Sequence, residues 1–272
     1  MSAYAQGGHN GALAEEIAKI EADSGGRLGV VVLDSRSGAA SAHRADERFP
    51  MCSTFKLLAA AAILARVDAG KERLDRRIRV EAGDLVVYSP VTKAHVGGGM
   101  SLADICEAAI TMSDNTAGNL MLASLGGPGG LTAYARALGD PVTRLDRIEP
   151  DLNEAAIGDL RDTTTPAAMA ANMRTLVLGN VLSTQSTDQL IVWLVGNKTG
   201  DTRVRAGVPK GWRVGDKTGS GDHGSTNDIG VIWAPEKAPV VFSIYLTETS
   251  ASTERRNTTL ASVGRAIARA MQ

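Results

Sequence analysis

Strand-forming segments lie at both ends of this chain, and the long middle has the period of helices. Arg27 to Leu33 is rich in β-branched residues and predicts a strand, and three strand-like clusters come late, at 212–214, 229–233 and 240–246. Between them, residues 53–195 space their apolar side chains mainly as helices do. A sheet built from both ends of a chain requires the middle to be an insertion. We therefore expect an α+β sandwich: an antiparallel sheet flanked by helices, with an all-helical domain inserted into it.

Domain boundaries follow from the same pattern. Residues 1–46 and 198–272 are predicted to form a discontinuous sheet domain, and residues 47–197 the helical domain. Helical spacing in the middle predicts segments at 57–67, 102–112, 116–125, 131–138, 166–178 and 187–195. Residues 143–164 are rich in charge and proline without a clear period, so they predict a long ordered loop of the kind that is usually functional.

Composition argues against several kinds of partner. The chain has 29 Lys and Arg against 30 Asp and Glu, a balance that does not favour a nucleic-acid partner. No stretch approaches the ~20 apolar residues of a membrane span, and residues 1–10 lack the apolar core of a signal peptide, so we expect a cytosolic protein or a mature chain. No cofactor or metal site is predicted, because the histidines lack ligand spacing. They stand at His9, His43, His95 and His223.

Ser53-Thr54-Phe55-Lys56 is the only S-x-x-K pattern in the chain. A serine hydroxyl has a high pKa and needs a neighbouring base or a positive field to attack a carbonyl. On a helix, the third residue along lies on the same face, so the Lys56 amine reaches the Ser53 oxygen. A lysine acts as a base only if burial or nearby positive charge lowers its pKa. The pattern indicates an activated serine, although a capping serine before a surface lysine would give the same letters.

Ser113-Asp114-Asn115 stands between two helical segments. These residue types are also what a helix–helix turn and an N-cap favour. In the functional interpretation, Ser113 relays a proton and Asn115 donates a hydrogen bond to a substrate amide.

Lys-Thr-Gly occurs twice, in different contexts. Lys198-Thr199-Gly200 follows a helical segment and is typical of a helix C-terminus, so we interpret Lys198 as structural. Lys217-Thr218-Gly219-Ser220 lies inside the late strand cluster. On an edge strand it would present a cation, a hydroxyl and open backbone groups to one side of a cleft. The glycines at 219 and 221 also suit a strand against which a ligand lies closely.

These three motifs in this order are a signature of class A β-lactamases and of penicillin-binding proteins, and the sequence resembles them over nearly its whole length. A fourth element, Glu149-Pro150-Asp151-Leu152-Asn153, lies in the long loop and is similar to the class A motif that positions the hydrolytic water. An acyl-enzyme persists unless a base activates a water against its ester carbonyl. The sequence is therefore identified as a member of the class A serine β-lactamases.

The resemblance implies a mechanism. Ser53 attacks the β-lactam carbonyl of a penicillin or cephalosporin, and the ring nitrogen leaves with a proton delivered through Ser113. The backbone N–H groups of Ser53 and Ser220 form the oxyanion hole. Glu149 activates the deacylating water, while either Lys56 or Glu149 takes the first proton. Hydrolysis of this kind confers antibiotic resistance.

The resemblance also implies the substrate contacts. Lys217, Thr218 and Ser220 hold the substrate carboxylate, Asn115 binds the acylamido side chain, and Asn153 helps to hold the water. The complete set of residues expected at the substrate is Tyr88, Asn115, Asn153, Arg203, Lys217, Thr218, Gly219 and Ser220.

Four further residues match the family with lower specificity. Tyr88 falls where an aromatic residue usually lines the cleft mouth, an exposed loop tyrosine being the alternative. Arg147 and Asp162 match the ion pair that pins the long loop. Arg203 occupies a position from which some members send a guanidinium to the substrate carboxylate. In others the arginine comes from a neighbouring strand, near Thr226.

The cysteines and the cellular location complete the expectations. Cys52 and Cys106 are expected to be buried free thiols, and the resemblance agrees, because the positions of their partners in other branches are Gly221 and Ala60. It also implies a periplasmic or secreted mature chain that acts as a monomer on a small molecule.

Two alternatives share the first three motifs. One is a penicillin-binding D,D-peptidase, and the other is a β-lactam sensor domain that is acylated once and held in that state. The segment 149–153 argues against both, because neither requires an activated water.

Overall fold

The computed structural model describes residues 8–272, with side chains from residue 11 onward. The predictions for the first seven residues and for the His9 side chain lie outside the described residues. The helices are α1 (Gly8–Ser24), α2 (Phe55–Asp68), α3 (Leu102–Thr111), α4 (Asn115–Leu125), α5 (Pro128–Ala137), α6 (Pro166–Leu178), α7 (Thr184–Val195), α8 (Val204–Gly207) and α9 (Thr253–Ala270). The strands are β1 (Arg27–Asp34), β2 (Ala40–His43), β3 (Phe49–Pro50), β4 (Arg77–Arg79), β5 (Gly99–Ser101), β6 (Thr163–Thr164), β7 (Arg213–Ser220), β8 (Thr226–Trp233) and β9 (Val240–Thr247).

The main sheet combines strands from both ends of the chain. Its five strands run in the order β2-β1-β9-β8-β7, and every neighbouring pair is antiparallel. The central contact pairs β1 with β9, Gly29 lying opposite Tyr245. Strand β7 forms one edge of the sheet, which places the Lys-Thr-Gly segment beginning at Lys217 on an edge. This sheet confirms the predicted fold class.

Side-chain alternation along the strands divides the core between the two faces of the sheet. On β1, Val30 and Val32 pack with α1 and α9, whereas Val31 and Leu33 pack on the opposite face with the helices of the middle segment. Successive strand residues point to opposite faces, so an apolar run such as β1 must be covered on both sides. The sheet is therefore the middle layer between two sets of helices.

Helix α2 is the centre of the helical region. Its residues Phe55 to Leu64 are buried on every side, which explains why this segment is rich in alanine and lacks a polar face. Helices α3, α4, α5 and α7 surround it. Because the nucleophile candidate lies in the turn that leads into α2, the best-buried helix of the molecule holds that turn in place.

The structure adds short elements that the sequence did not predict. β3 pairs with β6, and β4 pairs with β5, so the segment 47–197 is mainly rather than wholly helical. The late strand predicted at 212–214 extends to Ser220. The domain boundaries at 46 and 198 stay a prediction. Among the described helices, none has both the length and the apolar character to cross a bilayer.

Candidate active site

Ser53 lies in a 3-10 turn, Cys52–Thr54, directly before α2, rather than inside the α-helix itself. Cys52 has a φ of +45°, a left-handed conformation that costs energy for a residue with a side chain. Neighbouring strands hold the turn: Thr54 Oγ1 lies 3.1 Å from the Tyr245 hydroxyl, and Asn227 Nδ2 donates to the Met51 carbonyl at 3.1 Å.

Lys56 is completely buried, and its ammonium group lies at the centre of the site. Its Nζ donates to Ser53 Oγ at 2.9 Å and to Asn115 Oδ1 at 2.7 Å. It also lies 2.9 Å from Glu149 Oε1 and donates to the Ser113 carbonyl at 2.9 Å. Burial lowers the pKa of Lys56, and the charge of Glu149 opposes that shift. Ser53, Lys56 and Glu149, which the predicted acylation chemistry requires, are therefore in direct contact.

The Ser53 hydroxyl has a carboxylate acceptor. Ser53 Oγ donates to Glu149 Oε1 at 3.1 Å, while the second oxygen of Glu149 accepts from Asn153 Nδ2 at 2.5 Å. The other polar atom of the Asn153 side chain, Oδ1, is buried and has no partner among the described residues. Glu149 therefore contacts both the serine hydroxyl and the amide of Asn153.

Asn119 on α4 holds the Glu149 backbone, and the sequence analysis did not identify it. Its Nδ2 donates to the Glu149 carbonyl at 2.9 Å, and its Oδ1 accepts from the Glu149 N–H at 2.8 Å. The reciprocal pair fixes the loop that carries Glu149 to the helix beneath it. No sequence signal marks this residue, because an asparagine in the middle of a helix has no motif of its own.

Asp162 fastens the other end of the long loop. It accepts from Arg147 Nε at 2.6 Å and from the backbone N–H groups of residues 146 and 147 at 2.7 and 2.9 Å. The predicted Arg147–Asp162 pair is thus present, with the carboxylate almost fully buried. Glu154 adds a second, more exposed contact to Arg147.

Ser113 and Lys217 are in direct contact with each other. Lys217 Nζ donates to Ser113 Oγ at 3.0 Å and to the Thr218 carbonyl at 2.8 Å. Burial lowers the pKa of Lys217 well below its usual value, and the nearby charge of Lys56 lowers it further. Asp114, between the two predicted cleft residues of its motif, instead caps α4 through a 2.9 Å bond from Ala117 N.

Arg203 braces the end of β7. Its Nη1 donates to the carbonyls of Gly219 and Asn227 at 2.9 and 2.6 Å, and its Nη2 donates to Ser220 Oγ at 2.7 Å. A Cβ at Gly219 would lie 2.8 Å from the Met51 carbonyl. The interpretation of this glycine as a ligand contact is therefore incomplete, because the nucleophile turn itself approaches the strand there.

The predicted residues enclose one cleft of about 330 Å³. Lys56, Glu149 and Lys217 lie buried next to it. The residues that line it are Ser53, Tyr88, Ser113, Asn115, Asn153, Thr199, Arg203, Thr218, Gly219 and Ser220. Thr199 is the one lining residue that was not predicted.

The Lys-Thr-Gly motif that begins at Lys198 is only partly structural. Lys198 is exposed, as a structural interpretation requires, but Thr199 Oγ1 lies 2.5 Å from Thr218 Oγ1 and forms part of the cleft wall. A Cβ at Gly200 would lie 1.8 Å from the carboxylate of Asp216. Thr199 and Gly200 therefore both lie against β7, the strand that carries Lys217.

Within the described residues, no group of three or more His, Cys, Asp or Glu side chains is arranged to hold a metal ion. Cys52 and Cys106 are free and buried, and burial raises the pKa of both thiols.

Comparisons with known proteins show what the sequence and the fold of this chain are similar to. Residues 12–271 match the model of the "Beta-lactamase enzyme family". Beta-lactamase AST-1 of Nocardia asteroides is 52% identical over 93% of this chain and 82% of its own length. Beta-lactamase CTX-M-8 of Citrobacter amalonaticus is 48% identical over 93% of this chain and 87% of its own. The structure of an ancestral class A β-lactamase matches with a TM-score of 0.94 at 64% identity, covering 95% of this chain and 99% of that one.

Proposed function

The chain belongs to the class A serine β-lactamases and hydrolyses β-lactams, and on that premise we propose that Ser53 is its acylated nucleophile and Glu149 its deacylating base. One observation carries the assignment of roles: a single oxygen, Glu149 Oε1, lies within 3.1 Å of Ser53 Oγ and 2.9 Å of Lys56 Nζ. A nucleophile, a cation and a base in mutual contact are what the formation and hydrolysis of an acyl-enzyme require.

Acylation begins with the loss of the Ser53 proton. The hydroxyl points its hydrogen at Glu149, while the Lys56 ammonium donates to the same hydroxyl oxygen. Glu149 therefore accepts the proton, and Lys56 stabilises the alkoxide as it forms. The N–H groups of Ser53 and Ser220 stabilise the oxyanion, a role that the close approach of β7 to the nucleophile turn favours.

The departure of the ring nitrogen requires a proton donor on the far side of the carbonyl. Ser113 Oγ accepts a hydrogen bond from Lys217, so its own hydrogen is free to point at the leaving nitrogen. The positive charge of Lys217 makes that hydroxyl more acidic. Ser113 delivers the proton and takes a replacement from Lys217, which donates to it. Before deacylation, Lys217 regains a proton and Glu149 releases the one that it took from Ser53, both by exchange with solvent in the cleft, so acylation leaves these groups as they began.

The substrate carboxylate binds at the positive end of the cleft. Lys217 and Arg203 supply positive charge at this end, and the hydroxyls of Thr218 and Ser220 line it. Ser220 Oγ accepts from Arg203, so its hydrogen is available to the carboxylate. On the other side, Asn115 and Tyr88 contact the acylamido side chain.

Deacylation uses Glu149 a second time. A water between Glu149 and the ester carbonyl would satisfy the buried Oδ1 of Asn153, which otherwise has no donor. Buried polar atoms are rarely left unpaired, so this atom supports a water site. Glu149 removes a proton from that water as the water oxygen attacks the ester carbon, and it returns the proton to Ser53 Oγ as the ester bond breaks.

Membership of this family decides between turnover and the two alternatives, a D,D-peptidase and a sensor. We further propose that the enzyme acts on penicillins and cephalosporins as a periplasmic or secreted monomer, because the resemblance implies this and the net charge of -1 favours no polyanionic partner.

Hydrolysis of nitrocefin and mass spectra after addition of benzylpenicillin test the roles directly. The parent should turn over without a lasting adduct. Glu149→Ala should slow acylation, but Lys56 still contacts the Ser53 hydroxyl, so deacylation should be slowed more, by at least about 10²-fold, the contribution of a positioned base. A Ser53 adduct should therefore accumulate. Glu107→Ala, at an exposed glutamate on α3, serves as the matched control. Rapid deacylation by Glu149→Ala, or an adduct on a residue other than Ser53, would refute the assignment.

A further inference from the structure

Two buried carboxyl groups lie side by side behind the strand that carries Lys217. Asp216 is on β7 and Asp228 is on β8, where Asp228 lies opposite Thr218 and Asp216 opposite Gly230. Neither carboxyl reaches solvent, and the register makes the two side chains diagonal neighbours on one face of the sheet. Two ionised carboxylates have only acceptor sites, so neighbouring buried carboxyls can hydrogen-bond to each other only if one of them carries a proton.

The surrounding donors decide which carboxyl is neutral. Asp216 accepts from Arg205 Nε at 2.7 Å and from Asn197 Nδ2 at 3.0 Å. Asp228 receives only the Val204 N–H, at 3.2 Å on Oδ2, and its buried Oδ1 has no donor in the described part of the chain. Burial raises the pKa of Asp228 well above its usual value, and the charge of Asp216 raises it further.

The charge that remains on Asp216 supports the cation of the cleft. Charged groups act on Lys217 from every side: Lys56 from α2, Arg203 from the segment before α8, Glu149 from the long loop, and Asp216 from its own strand. Burial, Lys56 and Arg203 lower the pKa of Lys217, and Asp216 is the strongest group that opposes them. The negative charge of Asp216 therefore helps to keep Lys217 protonated.

Asp216 is also connected to the cleft wall. Asn197, which donates to Asp216, accepts on its Oδ1 from the Thr199 hydroxyl at 2.8 Å. Thr199 in turn contacts Thr218. A displacement of Asp216 would thus reach a residue that lines the substrate cleft.

We propose that Asp228 is a neutral carboxylic acid that donates a hydrogen bond to Asp216, and that the singly charged pair positions Lys217 and Thr218 for the substrate carboxylate. The functional part of this inference rests on the proposed function. A doubly ionised pair would be forced apart by repulsion in a dry site. An uncharged pair would deprive Lys217 of a buried counter-charge. Of the two arginines on the α8 side, Arg205 bonds to Asp216, whereas Arg203 donates to backbone carbonyls and to Ser220, so one arginine pairs directly with one negative charge.

Two substitutions at Asp228 distinguish the effect of its hydrogen-bond donor from the effect of its side-chain volume. In Asp228→Asn, the amide N–H still donates to Asp216. In Asp228→Leu, Asp216 loses that donor and tends to protonate in its buried site, so the pKa of Lys217 falls. We expect Asp228→Leu to lower kcat/KM for benzylpenicillin by about 10-fold, the effect of one charge-assisted hydrogen bond, and to move the alkaline limb of the kcat/KM profile to lower pH. Asp228→Asn should restore both.

Infrared spectroscopy detects the proton on the Asp228 carboxyl directly, and the measurement does not depend on enzyme activity. The difference spectrum between the parent and Asp228→Asn should contain the C=O stretching band of a protonated carboxyl, which shifts in D₂O. Absence of that band would overturn the proposal, whether or not the leucine variant folds. A leucine variant with the parent's pH profile would overturn the positioning role. Failure of the parent to hydrolyse benzylpenicillin would instead refute the proposed function and leave the band as evidence for the proton.

Discussion

Asn119 anchors the catalytic loop, and its removal isolates what that anchor contributes. The side chain exchanges two hydrogen bonds of 2.8 and 2.9 Å with the Glu149 backbone. Each neutral hydrogen bond contributes about 0.5–1.5 kcal/mol net, so Asn119→Ala should lower the free energy of unfolding by about 1–3 kcal/mol. For a chain of this length, that loss corresponds to a fall in Tm of roughly 2–12 °C.

The loss of the anchor should also slow the chemistry. Glu149 must stay within hydrogen-bond distance of both Ser53 and the water, and a misplacement of about 1 Å can cost roughly 10²-fold in rate. We expect Asn119→Ala to slow deacylation by about 10- to 100-fold. The acyl-enzyme should therefore accumulate during turnover.

Calorimetry and rapid-quench mass spectrometry with benzylpenicillin measure the two effects separately. Asn180→Ala is the matched control, because Asn180 is exposed on the segment after α6. If Asn119→Ala kept the parent's Tm and acyl-enzyme lifetime, the reciprocal contact would have no role in placing Glu149, and the argument from loop anchoring would fail.

Three further perturbations test other parts of the structure. Asp162→Ala removes the buried carboxylate from Arg147, which keeps only the more exposed Glu154 and Asp159, and leaves two backbone N–H groups without their acceptor. It should lower the free energy of unfolding by about 2–5 kcal/mol; an unchanged urea midpoint would contradict this. Burial raises the pKa of Glu21, but its hydrogen bonds, above all from an arginine, hold that pKa below 4.5. The stability that the parent has over Glu21→Gln should therefore be complete above pH 4.5 and shrink as the pH falls through the lowered pKa; a pH-independent difference would contradict the linkage. A Cβ at Gly118 would lie 2.7 Å from Cε of the buried lysine next to the nucleophile, so Gly118→Ala should lower kcat/KM about 10-fold. Gly129→Ala, which meets open space on α5, should stabilise the helix by up to about 1 kcal/mol and leave kcat/KM unchanged.

Where chemistry and spacing coincide, the residues that local patterns singled out lie together in the structure. Ser53 and Lys56 are three residues apart and touch because one turn of helix brings them together. Residues that act through contacts distant in sequence had no such signal. Asn119 contacts the backbone of a residue 30 positions away, and Asp228 meets Asp216 only through the register of two strands. Thr199 was overlooked because its motif was interpreted as a helix end.

In the fold, too, local patterns predicted the long elements but not the contacts between segments distant in sequence. Helical spacing and β-branched clusters predicted the long elements, and α6 was predicted with its observed bounds, 166–178. The ladders β3–β6 and β4–β5 involve strands of two or three residues, too short to display a period. Their pairing depends on how the chain returns to itself, which no local pattern records.

Strand β7 is a sheet edge, and sheet edges invite association between protein chains. Six of its eight residues are nevertheless buried, because α7 and the nucleophile turn lie against it. A small molecule can enter the remaining slot, whereas the extended backbone of a second protein finds no free length of strand to pair with. The opposite edge, β2, is only four residues long. The walls that shape the substrate cleft thus also protect the protein against strand-to-strand aggregation.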